Sequence, residues 1–190
     1  LVTAELEQDS SGKNRVVFTV PLPRRDPVFM SLTLDDYSRE CSGVVIVDSA
    51  KFLQLWRSEP NSIHSDMANG SPETWPSNYK FELATNGFSH GKANPVPLAE
   101  VSFGIDSRNT ETRRFFGLFK ELQYEDVPFV AFTNGITRTI WLLTQGCTAF
   151  PVECNRTRTQ ELHQVAAAPG TSAHTADEIA KAGCYLYPAS

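Results

Sequence analysis

The chain alternates short apolar runs with polar, proline-punctuated breaks. R-V-V-F-T-V (15–20) and V-F-M-S-L-T-L (28–34) are rich in β-branched and aromatic residues and predict two strands, parted by the bend P-L-P-R-R-D-P. G-V-V-I-V (43–47) is apolar without alternation, the pattern of a strand buried on both faces. A helix opens at Asp48 or Ser49 with Phe52, Leu53 and Trp56 on its inner side. Pro60, Gly70, Pro72 and Pro76 make 58–77 a long loop. Residues 80–84 stay open between extended chain and coil. F-S-H-G-K-A-N-P (88–95) is a turn leading into the strand V-P-L-A-E-V-S-F (96–103). Residues 112–122 read as strand or short helix, and 127–132 as a buried strand.

The stretch Asn134–Cys154 predicts a turn, a short helix and a buried strand. Asn134 and Gly135 supply the turn and cap, since glycine tolerates positive φ and asparagine accepts from free amides. Ile136, Ile140 and Leu143 share one helical face, extended by Trp141 and Leu142, and Gly146 falls where a left-handed C-cap is wanted. Arg138 sits in the first turn, where the helix dipole mildly disfavours a cation. An anion docked there would explain it, held by the guanidinium, by the amides of Gly135, Ile136 and Thr137, and by the hydroxyls of Thr137 and Thr139. Mixed strands and short helices without regular β-α alternation predict one α+β domain over 15–155. Residues 1–14 and 156–190 are expected to be peripheral tails, the second with short helices near 160–167 and 176–182.

Charge and cysteine usage narrow the function classes. The 190 residues carry a formal charge of −5, which argues against a general nucleic-acid coat but leaves room for a local basic groove. No apolar run reaches membrane-spanning length. Four scattered cysteines, Cys41, Cys147, Cys154 and Cys184, form no C-x-x-C pair, so disulfides and structural zinc are not expected and a reducing cytosol is. Phosphoryl transfer needs charge stabilisation and positioning more than covalent help. Arg138 and Thr137 are the candidates for that, with Glu153, facing either pocket or solvent, as catalytic carboxylate. His90 and Lys92, on the turn before Pro95, are further phosphate-binding candidates. Glu153 and Glu121, with Glu125 and Asp126 behind them, are candidate ligands for Mg²⁺. For DNA phosphates the candidates are Arg113, Arg114, Arg156 and Arg158, with Arg24 and Arg25; Trp75 is the candidate base-stacking residue.

The sequence of a strand, G-I-T-R (135–138), a helix to Gln145, then Gly146 and F-P-V (150–152) resembles the signature of the ParB/sulfiredoxin superfamily. F-S-H-G-K-A-N-P-V-P-L-A-E-V together with N-G-I-T-R-T-I-W-L-L is similar to the plasmid fertility-inhibition factors. That resemblance implies a plasmid-encoded bacterial cytoplasmic protein that suppresses conjugative or T-DNA transfer, brought to the inner face of the inner membrane by type IV secretion partners. It also implies a nucleotide pocket at the G-x-x-R turn, with ATP as substrate, a divalent cation, and DNase activity on transferring DNA. The alternative within the same resemblance is an interaction protein that occludes the coupling machinery. Two departures limit the analogy. Ile136 and Thr137 stand where sulfiredoxins place cysteine and histidine, so no nucleophile for sulfinic-acid reduction is in place. Partition proteins carry glutamate and arginine there, and the residues after Cys154 are too few for their DNA-binding and dimerisation modules.

Overall fold

The structure is a computed structural model that describes residues 1–114 and 119–182, with side chains described outside 110–123. Two sheets make up its frame. The first has the order β1-β2-β3-β5. Strands β1 (Thr3–Gln8), β2 (Asn14–Leu22) and β3 (Arg25–Thr33) form an antiparallel meander, and the two-residue β5 (Val96–Pro97) pairs in parallel with β3 at Met30 and Ser31. The second has the order β7-β6-β8-β4-β9, from β4 (Ser42–Asp48), β6 (Ala99–Arg114), β7 (Phe119–Asn134), β8 (Ala149–Asn155) and β9 (His174–Thr175). β8 runs antiparallel to β4 and parallel to β6.

The apolar run of β4 is explained by its place. Val44, Val45, Ile46 and Val47 are all buried, as expected for a central strand covered on both faces. The first sheet shares this core and meets the second where β2 contacts β8. Against β4 lies α2 (Ser49–Arg57), opened by Asp48, whose carboxylate accepts from the amides of Ala50 and Lys51 at 3.0 Å. Its Phe52 meets Phe132 and Phe150 edge-on at 5.7 and 5.5 Å, and Trp56 meets Phe132 at 4.8 Å, so one aromatic cluster ties α2 to β7 and β8.

The structure departs from the sequence expectations in four places. Residues 3–8 are a strand and Ala4 is buried, because pairing with β2 satisfies a backbone whose outward side chains are polar. The stretch 58–77 contains a short helix, α3 (Ser65–Ala68), and a 3-10 turn at Trp75–Ser77. The undecided segment becomes α4 (Phe81–Ser89), which buries Phe81, Ala84 and Phe88. Between Asn155 and Ala182 the chain contributes to the core instead of lying at its periphery. α6 (Thr159–Ala166) and α7 (Ala176–Ala182) bury Leu162, Ala166 and Ile179 at 0, 0 and 1% exposure. Their apolar stripes are narrow and alanine-rich, which hid them in composition. Within 112–122 the described residues, 112–114 and 119–122, are strand, with Thr112 opposite Glu121.

Candidate functional site

The candidate site forms where β7 runs into α5 (Ile136–Thr144). Gly135 is the N-cap at φ +96°, a left-handed conformation that glycine adopts without penalty, and Gly146 closes the far end at φ +73°. The expected capping by Asn134 does not occur: among the described residues no side chain caps the helix, and Asn134 is exposed. The first-turn amides therefore lack a side-chain acceptor. Ile140, Trp141 and Leu142 are buried and fix the helix against the core.

Arg138 folds back over this helix mouth. A Cβ placed on Gly135 would lie 2.6 Å from Arg138 Nε and 2.7 Å from Ala99 Cα, so glycine is required by contact as well as by φ. The guanidinium donates from Nη1 to the Pro97 carbonyl at 3.0 Å. Partial burial pulls the Arg138 pKa below its ordinary value, while Glu153 and Glu100 oppose that shift as countercharges. The cleft in front, about 280 Å³, is lined by Lys80, Leu83, Ala84 and Val96 together with Asn134–Arg138. It is open, and two cations border it.

Behind Arg138 lies a smaller acidic cleft of about 120 Å³, lined by Tyr37, Ser42, Glu100, Thr133 and Glu153 among others. Glu100 and Glu153 stand in register on the parallel strands β6 and β8, which puts the two carboxylates side by side. Glu153 is half-buried and accepts from the Ser42 hydroxyl at 2.5 Å. Its pKa is raised by burial first, then by Glu100 and Asp35, and is lowered by the Ser42 bond and Arg138.

Of the residues singled out from sequence, Asn134, Gly135, Ile136, Thr137 and Arg138 line the first cleft and Glu153 the second. Others do not converge. Thr139 is fully buried with its hydroxyl unpartnered, so it does not reach the cleft. Lys92 is paired with Glu5 at 2.6 Å, and His90 is the exposed C-cap of α4; neither lines either cleft. Arg158 spends its charge on Glu161 at 2.7 Å, while Arg156 lies near Asp36, Arg39, Glu40 and Asp177. Asp126 accepts from Ser107 at 2.6 Å, and Glu125 is exposed. Trp75 is buried with its indole donating to the Met67 carbonyl, which removes it as a stacking platform. The side chains of Arg113, Arg114 and Glu121 lie outside the described residues. Sequence reasoning missed Lys80, Glu100 and Ser42; only the strand register and the α4–α5 packing bring them here.

The fold is α+β, two mixed sheets with short helices. The chain belongs to the plasmid fertility inhibition factors: a sequence profile described as Plasmid Fertility inhibition factor matches residues 44–167. Protein osa of Shigella flexneri is 27% identical over 139 residues, covering 73% of this chain. That match spans 61% of the length of the relative. A crystal structure of the Oncogenic Suppression Activity Protein, a plasmid fertility inhibition factor, superposes with a TM-score of 0.67 at 20% identity over 94% of this chain and 81% of that one, a likeness of fold. Among the described residues no helix is long and apolar enough to cross a membrane.

Proposed function

We propose that this fertility inhibition factor hydrolyses a nucleotide at the α5 mouth and cleaves transferring DNA with the help of a divalent cation. The observation that carries the reading is the position of Arg138, held over uncapped first-turn amides beside an open cleft that Lys80 also borders. Amides, guanidinium and ammonium together suit a phosphate better than any other common ligand. Leu83, Ala84 and Val96 give the same cleft an apolar wall for the uncharged part of a nucleotide. A cation would be held by Glu153 and Glu100, whose adjacent carboxylates fit an ion that takes one or two such ligands and completes its shell with water and phosphate oxygens. When bound, it would neutralise phosphate charge. The partners on this reading are DNA, the nucleotide and type IV secretion components.

Arg138→Ala tests it. The variant is expected to stay folded, to lose hydrolysis and transfer suppression together, and to bind ATP more weakly by about 1.5–3 kcal/mol, the range for a charge-assisted hydrogen bond. Unchanged ATP affinity removes Arg138 from the site. Persistence of DNA cleavage in excess EDTA removes the cation.

One observation favours a second reading, occlusion of the coupling machinery by a non-catalytic protein. β6 pairs with β8 only from Ala99 to Val101 but with β7 as far as Arg114, so a two-stranded arm extends beyond the sheet. It exposes Ile105 at 55% and Tyr124 at 73%, a surface suited to a protein partner. A folded Arg138→Ala variant that hydrolyses nothing yet still suppresses transfer supports occlusion.

A further inference from the structure

A third cleft lies further along the seam between α4 and α5, and the nucleotide site makes no use of it. At about 600 Å³ it has more than twice the volume of the 280 Å³ cleft at the helix mouth, and it falls in the size range of small-molecule sites. The apolar and aromatic part of its wall comes from Pro27, Val28 and Phe29 at the start of β3 and from Phe88 and Trp141; Arg25, Asp26, Thr85 and Ser89 make the rest polar. The Phe88 and Trp141 rings are stacked at 4.3 Å, and the indole donates to Thr85 Oγ1 at 3.0 Å, so that wall is rigid.

One guanidinium is set into this wall. Arg25 lies over the Trp141 ring, 5.5 Å from its centroid, and donates from Nη1 to Gln145 Oε1 at 3.1 Å. Stacking and that bond orient the planar fork, and among the described residues Arg25 has no carboxylate partner. An oriented fork of this kind matches a carboxylate. The surroundings limit the charge it can take. Asp26 lines the same cleft, and α4 ends there at Ser89, directing the negative end of its dipole toward it. A doubly charged phosphate is disfavoured, in contrast to the helix-mouth cleft with its two cations and positive helix end.

We propose that the cleft between the start of β3 and the α4–α5 seam binds an amphipathic monoanion, a carboxylate on an apolar or aromatic body, with Arg25 taking the carboxylate and Pro27 and Phe29 the body, over a floor that the buried Phe88–Trp141 stack holds in place. The inference is independent of any nucleotide chemistry at Arg138. Pro27 offers no N–H along this strand edge, so recognition runs through side chains rather than strand addition.

The test follows the Trp141 indole N–H resonance of the ¹⁵N-labelled full chain, assigned with Trp141→Phe. Titration with 3-phenylpropanoate is expected to shift it saturably, and the neutral amide of that acid to bind about tenfold more weakly or worse, the factor for losing a hydrogen bond to a charged group. Arg25→Gln should lose the same factor. Ser89→Trp, which fills the cleft from the exposed end of α4, should abolish binding with Arg25 intact. A peptide ending in a free phenylalanine carboxylate distinguishes the sources. Tighter binding than 3-phenylpropanoate assigns the ligand to a protein C-terminus, and weaker binding to a small acid. The proposal is overturned if amide and acid bind alike, if Arg25→Gln is without effect, if inorganic phosphate competes at equal concentration, or if no probe shifts the resonance.

Discussion

Gly135→Ala is the most informative single perturbation of the helix mouth. The residue sits at φ +96°, where a side chain costs about 1–2 kcal/mol relative to glycine. The added Cβ would also approach the Ala99 Cα to 2.7 Å and the Ala99 Cβ to 2.8 Å, both on a buried strand residue that cannot swing away. Overpacking of that kind costs a further amount of about 1–3 kcal/mol, so the total is about 2–5 kcal/mol. Gly91→Ala is the control: φ there is +64° and nothing lies within 4 Å of its Cβ, so only the first cost applies. Urea unfolding of both variants, followed by far-ultraviolet circular dichroism, separates the two contributions. The Arg138 Nε, 2.6 Å from the same Cβ, must move as well, so Gly135→Ala should weaken ATP binding even where it remains folded. If Gly135→Ala costs no more than Gly91→Ala, within about 0.5 kcal/mol of experimental scatter, the close approach of Gly135, Ala99 and Arg138 is refuted.

Two further predictions concern parts of the fold that composition obscured. Leu162→Ala should cost about 2–5 kcal/mol in the same assay, because Leu162 is fully buried in α6; a loss below about 0.5 kcal/mol would return the segment after Cys154 to the periphery. Burial, then Glu100 and Asp35, hold the Glu153 pKa above its ordinary value in the folded state, so the folded state binds its proton more tightly than the unfolded chain. Its contribution is fully present below that ordinary value and is lost as pH rises through the raised folded pKa. Glu153→Gln should therefore gain stability over wild type on going from pH 4 to pH 8, and a difference independent of pH would show that Glu153 titrates normally.

The local signals were legible where one element decides them. The β-branched runs of β2, β3 and β4, the helix start at Asp48, and the Gly135 and Gly146 ends of α5 follow from side-chain shape and backbone freedom, and they stand as the sequence indicates. Elements whose stability comes from distant partners were not legible. β1 is polar by composition and exists because β2 offers it an edge. The helices α6 and α7 were expected close to where they stand, but the burial of their short aliphatic stripes becomes visible only against β4 and the helix Asp36–Cys41. At the site, Arg138 could be singled out from its unfavourable place in the helix dipole. Glu100 could not, since its significance lies in a register with Glu153 fixed more than fifty residues later. Thr139 misled for the opposite reason: a first-turn hydroxyl is a natural ligand, but helical periodicity turns this one into the core.

The central claim is that the α5 mouth, with Arg138 beside it, seats a phosphate. Amide chemical shifts of the ¹⁵N-labelled protein titrated with ATP test it most directly. Shifts should concentrate at Gly135, Ile136, Thr137 and Arg138, saturate, and be lost in folded Arg138→Ala. Saturable shifts elsewhere with these four amides unmoved, or shifts at them that survive in Arg138→Ala, would contradict it.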